Sequence, residues 1–324
     1  MKAVRIREFG GPEVLRIEEL PTPKPEAGEV LVRIAAIGVN FIDTKHRDGT
    51  FKARLPTPPF TLGLEGAGVV EALGPGVCEL AVGDRVGWPS FLGSCASHIR
   101  IPAARVLRLP DALDFEQAAA VLNNGATAHY LCHTTYPLKA GETCLVHAAA
   151  GGVGRLLCSM AKRRGARVLG TVSTREKAEV ARQAGADETI LYNDVDFATE
   201  ARRLTGGKGV SVVFDSVGQT TFAKSLDSLA PRGMLVLFSQ ASGPVPPIDP
   251  WTLWEKGSLF LTAPSLPLHI ASREELVEHA GAVLDWAAAG KLPVPVRAYP
   301  ISEVAQAHRR IVERTALTKL VLVP

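Results

Sequence analysis

Ala149, Gly151 and Gly154 stand at the spacing of a phosphate-binding turn, G-x-G-x-x-G, with alanine in the first place. Glycines there let a pyrophosphate approach the backbone, and the helix that follows offers unpaired N–H groups and a positive dipole end. A tight turn that binds nothing would use the same residues, so the flanking pattern has to decide, and it favours a nucleotide. Further on, the chain reads Ser173-Thr174-Arg175-Glu176-Lys177. An NAD site usually places Asp or Glu at this strand end to hold the ribose hydroxyls. Here no acid stands there, Ser173 can donate a hydrogen bond, and Arg175 or Lys177 can meet a 2′-phosphate. This favours NADPH over NADH, although the same two cations would also suit a solvated first helical turn.

These residues need a strand, a turn, a helix and a second strand to hold them. Residues 144–148 form a short apolar run that fits a buried parallel strand. From Val153 the apolar residues Leu156, Leu157 and Met160 recur at helical spacing, opposite Arg155, Ser159, Lys162 and Arg163, until Gly165. Residues 167–172 return as the second strand. Helices at 176–184, 197–204 and 221–229 then alternate with strands at 188–191, 210–215 and 234–239, with one more strand at 258–262. That order specifies a doubly wound parallel sheet.

Residues 1–122 read differently, as short strands cut by glycine and proline. Residues 2–6 and 15–19 predict a hairpin, 21–25 an extended proline loop, and 29–38 a long alternating strand. Strands are also expected at 66–73, 84–87 and 97–101. Asp114 and Gln117 form a capping-box pattern that opens a helix through Leu122, and a second helix is expected at about 127–135. Ser272 and Glu275 repeat the pattern for a helix to Ala289, stopped by Gly290. A helix at 299–313 and a strand at 319–323 close the chain. The economical α/β reading is a mostly-β domain in two pieces, 1–122 and 268–324, with a nucleotide domain, 123–267, inserted. A cleft between them is where a substrate would be expected to meet the cofactor.

With 324 residues, 46% hydrophobic and 21% charged, the chain has ordinary globular composition and enough length for two domains. Its formal charge of +3 carries no basic block, which argues against nucleic acid or a membrane surface as main partner. The N-terminus lacks an apolar signal core and no run approaches the about 18 apolar residues of a membrane span, so a cytoplasmic location is expected. The cysteines Cys78, Cys95, Cys132, Cys144 and Cys158 are odd in number and widely spaced, unlike a disulfide framework or a zinc cluster.

Several segments together carry a family resemblance over essentially the whole chain: Gly38-Val39-Asn40-Phe41-Ile42-Asp43, Leu62-Gly63-Leu64-Glu65-Gly66-Ala67-Gly68, Val82-Gly83-Asp84-Arg85-Val86, His147-Ala148-Ala149-Ala150-Gly151-Gly152-Val153-Gly154, Phe214-Asp215-Ser216-Val217-Gly218 and Pro264-Ser265-Leu266. The sequence resembles the quinone oxidoreductase (zeta-crystallin-like) branch of the medium-chain dehydrogenase/reductase superfamily. That resemblance implies a GroES-like catalytic domain, a Rossmann domain, NADPH as cofactor and a homodimer. The zinc alcohol dehydrogenases of the same superfamily have cysteine where this chain has Asn40, histidine where it has Leu64, and a four-cysteine loop that it lacks. No metal site is therefore expected, and hydride transfer to a quinone or to the β-carbon of an enone is favoured over alcohol oxidation.

The resemblance also assigns residues. It sets Asn40 and Asp43 beside the nicotinamide, Asn40 as an amide donor and Asp43, which as a carboxylate only accepts, in a positioning role. It sets Thr127, Gly151, Gly152 and Val153 along the nicotinamide and pyrophosphate, Ser173, Arg175, Lys177 and Tyr192 around the 2′-phosphate and adenosine, and Ser216, Phe238, Ser239, Pro264 and Arg314 along the rest. Lys45 replaces a tyrosine frequent in bacterial members, so a cation in the cleft would favour an anionic or hydroxylated acceptor. Thr318 replaces a usual glycine. The expected activity is metal-free NADPH-dependent quinone reduction. Alternatives are reduction of activated double bonds (enones, enoyl thioesters) or an NADPH-regulated RNA-binding or structural protein, with the missing basic stripe counting against RNA. An apolar edge strand at 258–262 would pair with its copy in the homodimer.

Overall fold

The computed structural model describes residues 1–324 and divides them into two units, Met1–Ala126 with Ile270–Pro324, and Thr127–His269. No helix is long and apolar enough to cross a membrane.

In the first unit, Lys2–Ile6 pairs antiparallel with Arg16–Glu19, with Lys2 opposite Glu19. The alternating strand Glu29–Gly38 sits centrally in a larger sheet, between Glu65–Leu73, His98–Pro102 and Lys319–Val323, all antiparallel to it. Its Val30, Val32 and Ile34 join Trp88, Ile99, Ile101, Leu320 and Leu322 in one apolar core. One glycine of this strand is set by close approach. A Cβ at Gly38 would lie 2.2 Å from both the Ala119 carbonyl and Glu65 Oε2, so glycine leaves room for a buried carboxylate.

In the second unit six parallel strands run in the order Glu188–Leu191, Arg167–Val172, Thr143–Val146, Val210–Asp215, Leu229–Leu237, Phe260–Thr262. The first strand in sequence lies in the middle and the order reverses beside it, which is the doubly wound arrangement. Leu145, Leu169, Val213 and Leu235 are fully buried in its core.

Several expected elements differ, among them the helix expected from Ser272 to Ala289, which is Arg273–Leu276, a π-helical turn Val277–Gly281 and Ala282–Ala288. The two helices expected at 115–122 and 127–135 are one helix, Phe115–Tyr130, followed by a π-helical turn, Leu131–Thr135. Asn123 and Gly125 do not break it, because both are occupied in the fold. Glu65 accepts the Asn123 N–H at 2.5 Å, and a Cβ at Gly125 would fall 2.4 Å from Val283. The change of unit thus falls inside a helix, at Ala126/Thr127, rather than at 122/123, and the return falls at His269/Ile270 rather than 267/268. The helix expected from Tyr299 starts only at Val304, since buried Tyr299 belongs to the strand Val296–Pro300, which pairs with Lys319–Val323. The edge strand expected over 258–262 is Phe260–Thr262, with Ser258 in a left-handed conformation.

Candidate active site

The carboxyl ends of parallel strands all lie along one edge of a sheet, and most of the expected cofactor residues of the second unit fall there. The strand Thr143–Val146 leads into the glycine turn, with Gly151 as N-cap of the helix Gly152–Arg163 and Gly152 and Val153 in its first turn. Ser173 follows Arg167–Val172, with Arg175 and Lys177 in the first turn of the helix Arg175–Gln183. Tyr192 follows Glu188–Leu191, Ser216 follows Val210–Asp215, Phe238 and Ser239 follow Leu229–Leu237, and Pro264 lies two residues past Phe260–Thr262. Thr127 is buried in the long helix Phe115–Tyr130. Arg314 belongs to the first unit, in a left-handed turn after the helix Val304–Val312.

The turn leaves open what an anion would use. No side chain caps the helix at Gly151, so its first-turn N–H groups and dipole stay available. A Cβ at Gly154 would lie 2.2 Å from the Ala148 carbonyl, so only glycine fits this helix against its strand. Alanine at 149, in place of the first glycine, has its compensation on the next strand: a Cβ at Gly170 would come within 2.7 Å of the Ala149 methyl. The space saved at 170 accommodates the methyl at 149. Beside the turn, Lys177 Nζ donates to Ser173 Oγ at 3.3 Å, Thr174 Oγ1 accepts the Lys177 N–H, and Asn193 Nδ2 holds the Ser173 carbonyl at 2.9 Å. Arg175 is exposed. A hydroxyl and an ammonium in contact, with no carboxylate at the strand end, suit a phosphate dianion better than a ribose diol.

In the first unit, Asn40 is the N-cap residue of the helix Phe41–Arg47, where no helix was expected. The Asn40 amide is held from both sides. Lys319 Nζ donates to its Oδ1 at 2.7 Å, and its Nδ2 donates to Glu65 Oε2 at 2.9 Å, while Lys319 and Glu65 meet directly at 2.9 Å. The amide expected to serve as a free donor is therefore committed to a buried ion pair. Asp43 Oδ2 accepts the Asn40 N–H at 2.8 Å, and its buried Oδ1 has no partner. Burial raises the Asp43 pKa to about 7, against the lowering effects of the Asn40 N–H and Lys319. Lys45 is half-buried, 3.5 Å from Asp48 Oδ2 and 5.6 Å from the Phe41 ring centre, so its charge is met on its own helix. Glu65 and Lys319 were missed as site residues. Their signal was a lone charge at each edge of an apolar segment, Leu62-Gly63-Leu64-Glu65 and Lys319-Leu320-Val321-Leu322.

The comparisons with known proteins agree with this architecture. Residues 26–138 match the family described as alcohol dehydrogenase GroES-like domain, and 152–262 the family described as zinc-binding dehydrogenase. A quinone oxidoreductase of Pseudomonas aeruginosa is 43% identical over 325 residues, covering 100% of this chain and 99% of its own length. The chain belongs to the quinone oxidoreductase family of the medium-chain dehydrogenase/reductase superfamily. Within it, a Burkholderia 2-haloacrylate reductase is 42% identical, covering 99% of this chain and 98% of its own length. The solved structure of the Escherichia coli quinone oxidoreductase in complex with NADPH superposes with a TM-score of 0.97 at 40% identity, covering 100% of both chains.

One matched description speaks of zinc, and the donors in this quinone oxidoreductase family member do not fit one. Position 40 offers an amide already bonded to Lys319 and Glu65, position 64 offers an alkyl chain, and no group of three or more His, Cys, Asp or Glu stands ready to hold a metal.

Proposed function

We propose that this protein is an NADPH-dependent reductase that delivers hydride to quinones without a metal. The observation that carries the reading is the Ser173–Lys177 pair at the carboxyl end of the second strand, beside an uncapped glycine-rich helix start. Two NADPH-bound relatives support the cofactor, the Escherichia coli enzyme and a mycobacterial one at 45% identity and TM-score 0.95. When bound, NADPH supplies a hydride. In this reading the first-turn N–H groups at Gly152 and Val153 hold the pyrophosphate, and Ser173, Lys177 and Arg175 hold the 2′-phosphate. Tyr192, Ser216, Phe238, Ser239 and Pro264 line the same edge, with Thr127 and Arg314 as further contacts.

On the acceptor side the proposal assigns Asn40, Asp43 and Lys45. Lys319 and Glu65 fix the Asn40 amide. Asp43 can hold a proton on Oδ1 at neutral pH, which suits an acceptor oxygen that gains negative charge as hydride arrives. No Lewis acid is needed for acceptors of this electrophilicity.

The 42% identical 2-haloacrylate reductase supports a second reading, reduction of an activated carbon–carbon double bond. The two are separated by steady-state turnover on 1,4-benzoquinone, 9,10-phenanthrenequinone, an enone and 2-chloroacrylate in parallel, with NADPH. Quinone turnover well above the others supports the first reading. Fast turnover of 2-chloroacrylate or the enone with slow quinones would replace it by the second.

A further inference from the structure

Beneath the nucleotide edge lies a buried chain of polar side chains. His147, the residue before the glycine turn, is 1% exposed. Its Nδ1 lies 2.8 Å from Thr171 Oγ1 and its Nε2 2.9 Å from Ser225 Oγ. Ser225 Oγ donates to Asp215 Oδ2 at 2.9 Å, and Thr221 Oγ1 donates to the same carboxyl group at 2.7 Å. Asp215 Oδ1 accepts the backbone N–H groups of Val217 at 2.7 Å and Gly218 at 3.0 Å. Asp215 is wholly buried.

The protons in this chain can be assigned. Ser225 has one hydroxyl hydrogen and gives it to Asp215, so it must accept from His147, whose Nε2 therefore carries the hydrogen. Nδ1 is then bare and accepts from Thr171. Burial, which disfavours the imidazolium, keeps this neutral tautomer. The side-chain links run in one direction, from Thr171 to His147, Ser225 and Asp215, and the Asp215 carboxylate also accepts the N–H groups of the turn 216–218. The backbone follows the same route, since the His147 N–H is held by the Phe214 carbonyl at 3.0 Å. One ring thus ties the phosphate turn, the end of the strand Arg167–Val172 and the turn at Ser216 to a common frame.

We infer that His147 is a positioning residue for NADPH, acting through Ser225 and Asp215 to fix the turn 216–218 on the nicotinamide half of the dinucleotide site. The assignment of halves follows from topology: the glycine turn and the strand ending at Val172 make the adenosine half, and the strand ending at Asp215 opens the second half beyond the switch point. This rests on the NADPH reading given above. It predicts an effect confined to one half of the ligand, whereas a general loosening of the unit would weaken both.

The test uses the full-length protein and two variants, His147→Phe, which removes both ring hydrogen bonds, and Ser225→Ala, which removes the bonds to His147 Nε2 and Asp215 and keeps the one between His147 and Thr171. Calorimetry would measure NADPH and adenosine 2′,5′-bisphosphate, a ligand with the 2′-phosphate and no nicotinamide. Both variants are expected to bind NADPH about tenfold more weakly and the bisphosphate within about twofold of wild type. If His147→Phe does not fold, Ser225→Ala alone decides, because Ser225 lies on the far side of the ring. Equal losses for both ligands, or no loss for NADPH, would overturn the inference while leaving the NADPH reading in place. Wild-type protein that binds neither ligand would remove that reading as well.

Discussion

Lys319 and Glu65 form an ion pair with 5% and 0% of their side chains exposed, and Asn40 bridges them. Removing one partner of such a pair leaves a buried charge alone, which costs about 3–5 kcal/mol, whereas removing both costs far less. Lys319→Met should therefore lose about that much in urea denaturation, and Glu65→Gln combined with Lys319→Met should recover most of it. Equal losses in the single and double variants would mean that the pair is not coupled. At Asp43 the effect is one of pH. A folded pKa of about 7 lies above the ordinary carboxyl value, so its contribution is present at acid pH and is lost as pH rises through about 7. Buried His46 and His308, pushed down to about 4 and about 3, act the other way and lose stability as pH falls below about 6.5. Asp43→Asn removes only the first effect, so the variant should gain stability relative to wild type between pH 5 and pH 8. A difference that does not change with pH would contradict the raised pKa. At the cofactor, Ser173→Asp places a carboxylate where a 2′-phosphate would sit, and should lower the NADPH over NADH preference in kcat/KM by about 10–100-fold; an unchanged ratio would remove Ser173 from that role.

At the level of elements, the strand and helix pattern of the second unit was legible because its periodicities are strong and local. Parallel strands such as Val210–Asp215 are mostly apolar, and in the first unit the capping pairs Asp114/Gln117 and Ser272/Glu275 make the expected bonds, 2.6 Å from the Gln117 N–H to Asp114 and 3.1 Å from the Glu275 N–H to Ser272. What the sequence obscured was set by contacts far along the chain. The helix Phe115–Tyr130 survives Asn123 and Gly125 because Glu65 and Val283 occupy those positions, 58 residues away in the case of the Glu65 bond. The helix Phe41–Arg47 was missed although Asn40 and Asp43 stand three apart, since a short helix with Phe41-Ile42 at its start offers little amphipathic period. The imperfect glycine fingerprint has the same kind of explanation, as Ala149 is legible only beside Gly170. Gly170→Ala should overpack this contact and cost about 1–3 kcal/mol, and Ala149→Gly in the same chain should restore most of the loss. Failure of the second change to restore stability would place the strain elsewhere.

For the whole molecule, the expectation of a homodimer rests on the outer strand Phe260–Thr262. Phe260 is 56% exposed there, and Trp251 and Trp254, on the helix just before it, are 65% and 64% exposed with their rings 5.6 Å apart. An open edge with large apolar side chains is a surface that a second copy can cover. Light scattering should give twice the chain mass for wild type and the single chain mass for Phe260→Lys; a monomeric wild type would contradict the dimer. The central claim concerns the reaction itself. Its most direct test is stopped-flow oxidation of NADPH and of NADH by the chelator-treated protein with 1,4-benzoquinone. Rapid NADPH oxidation that survives chelation is expected, with much slower oxidation of NADH. Equal rates for the two cofactors, or activity that returns only on adding zinc, would contradict it.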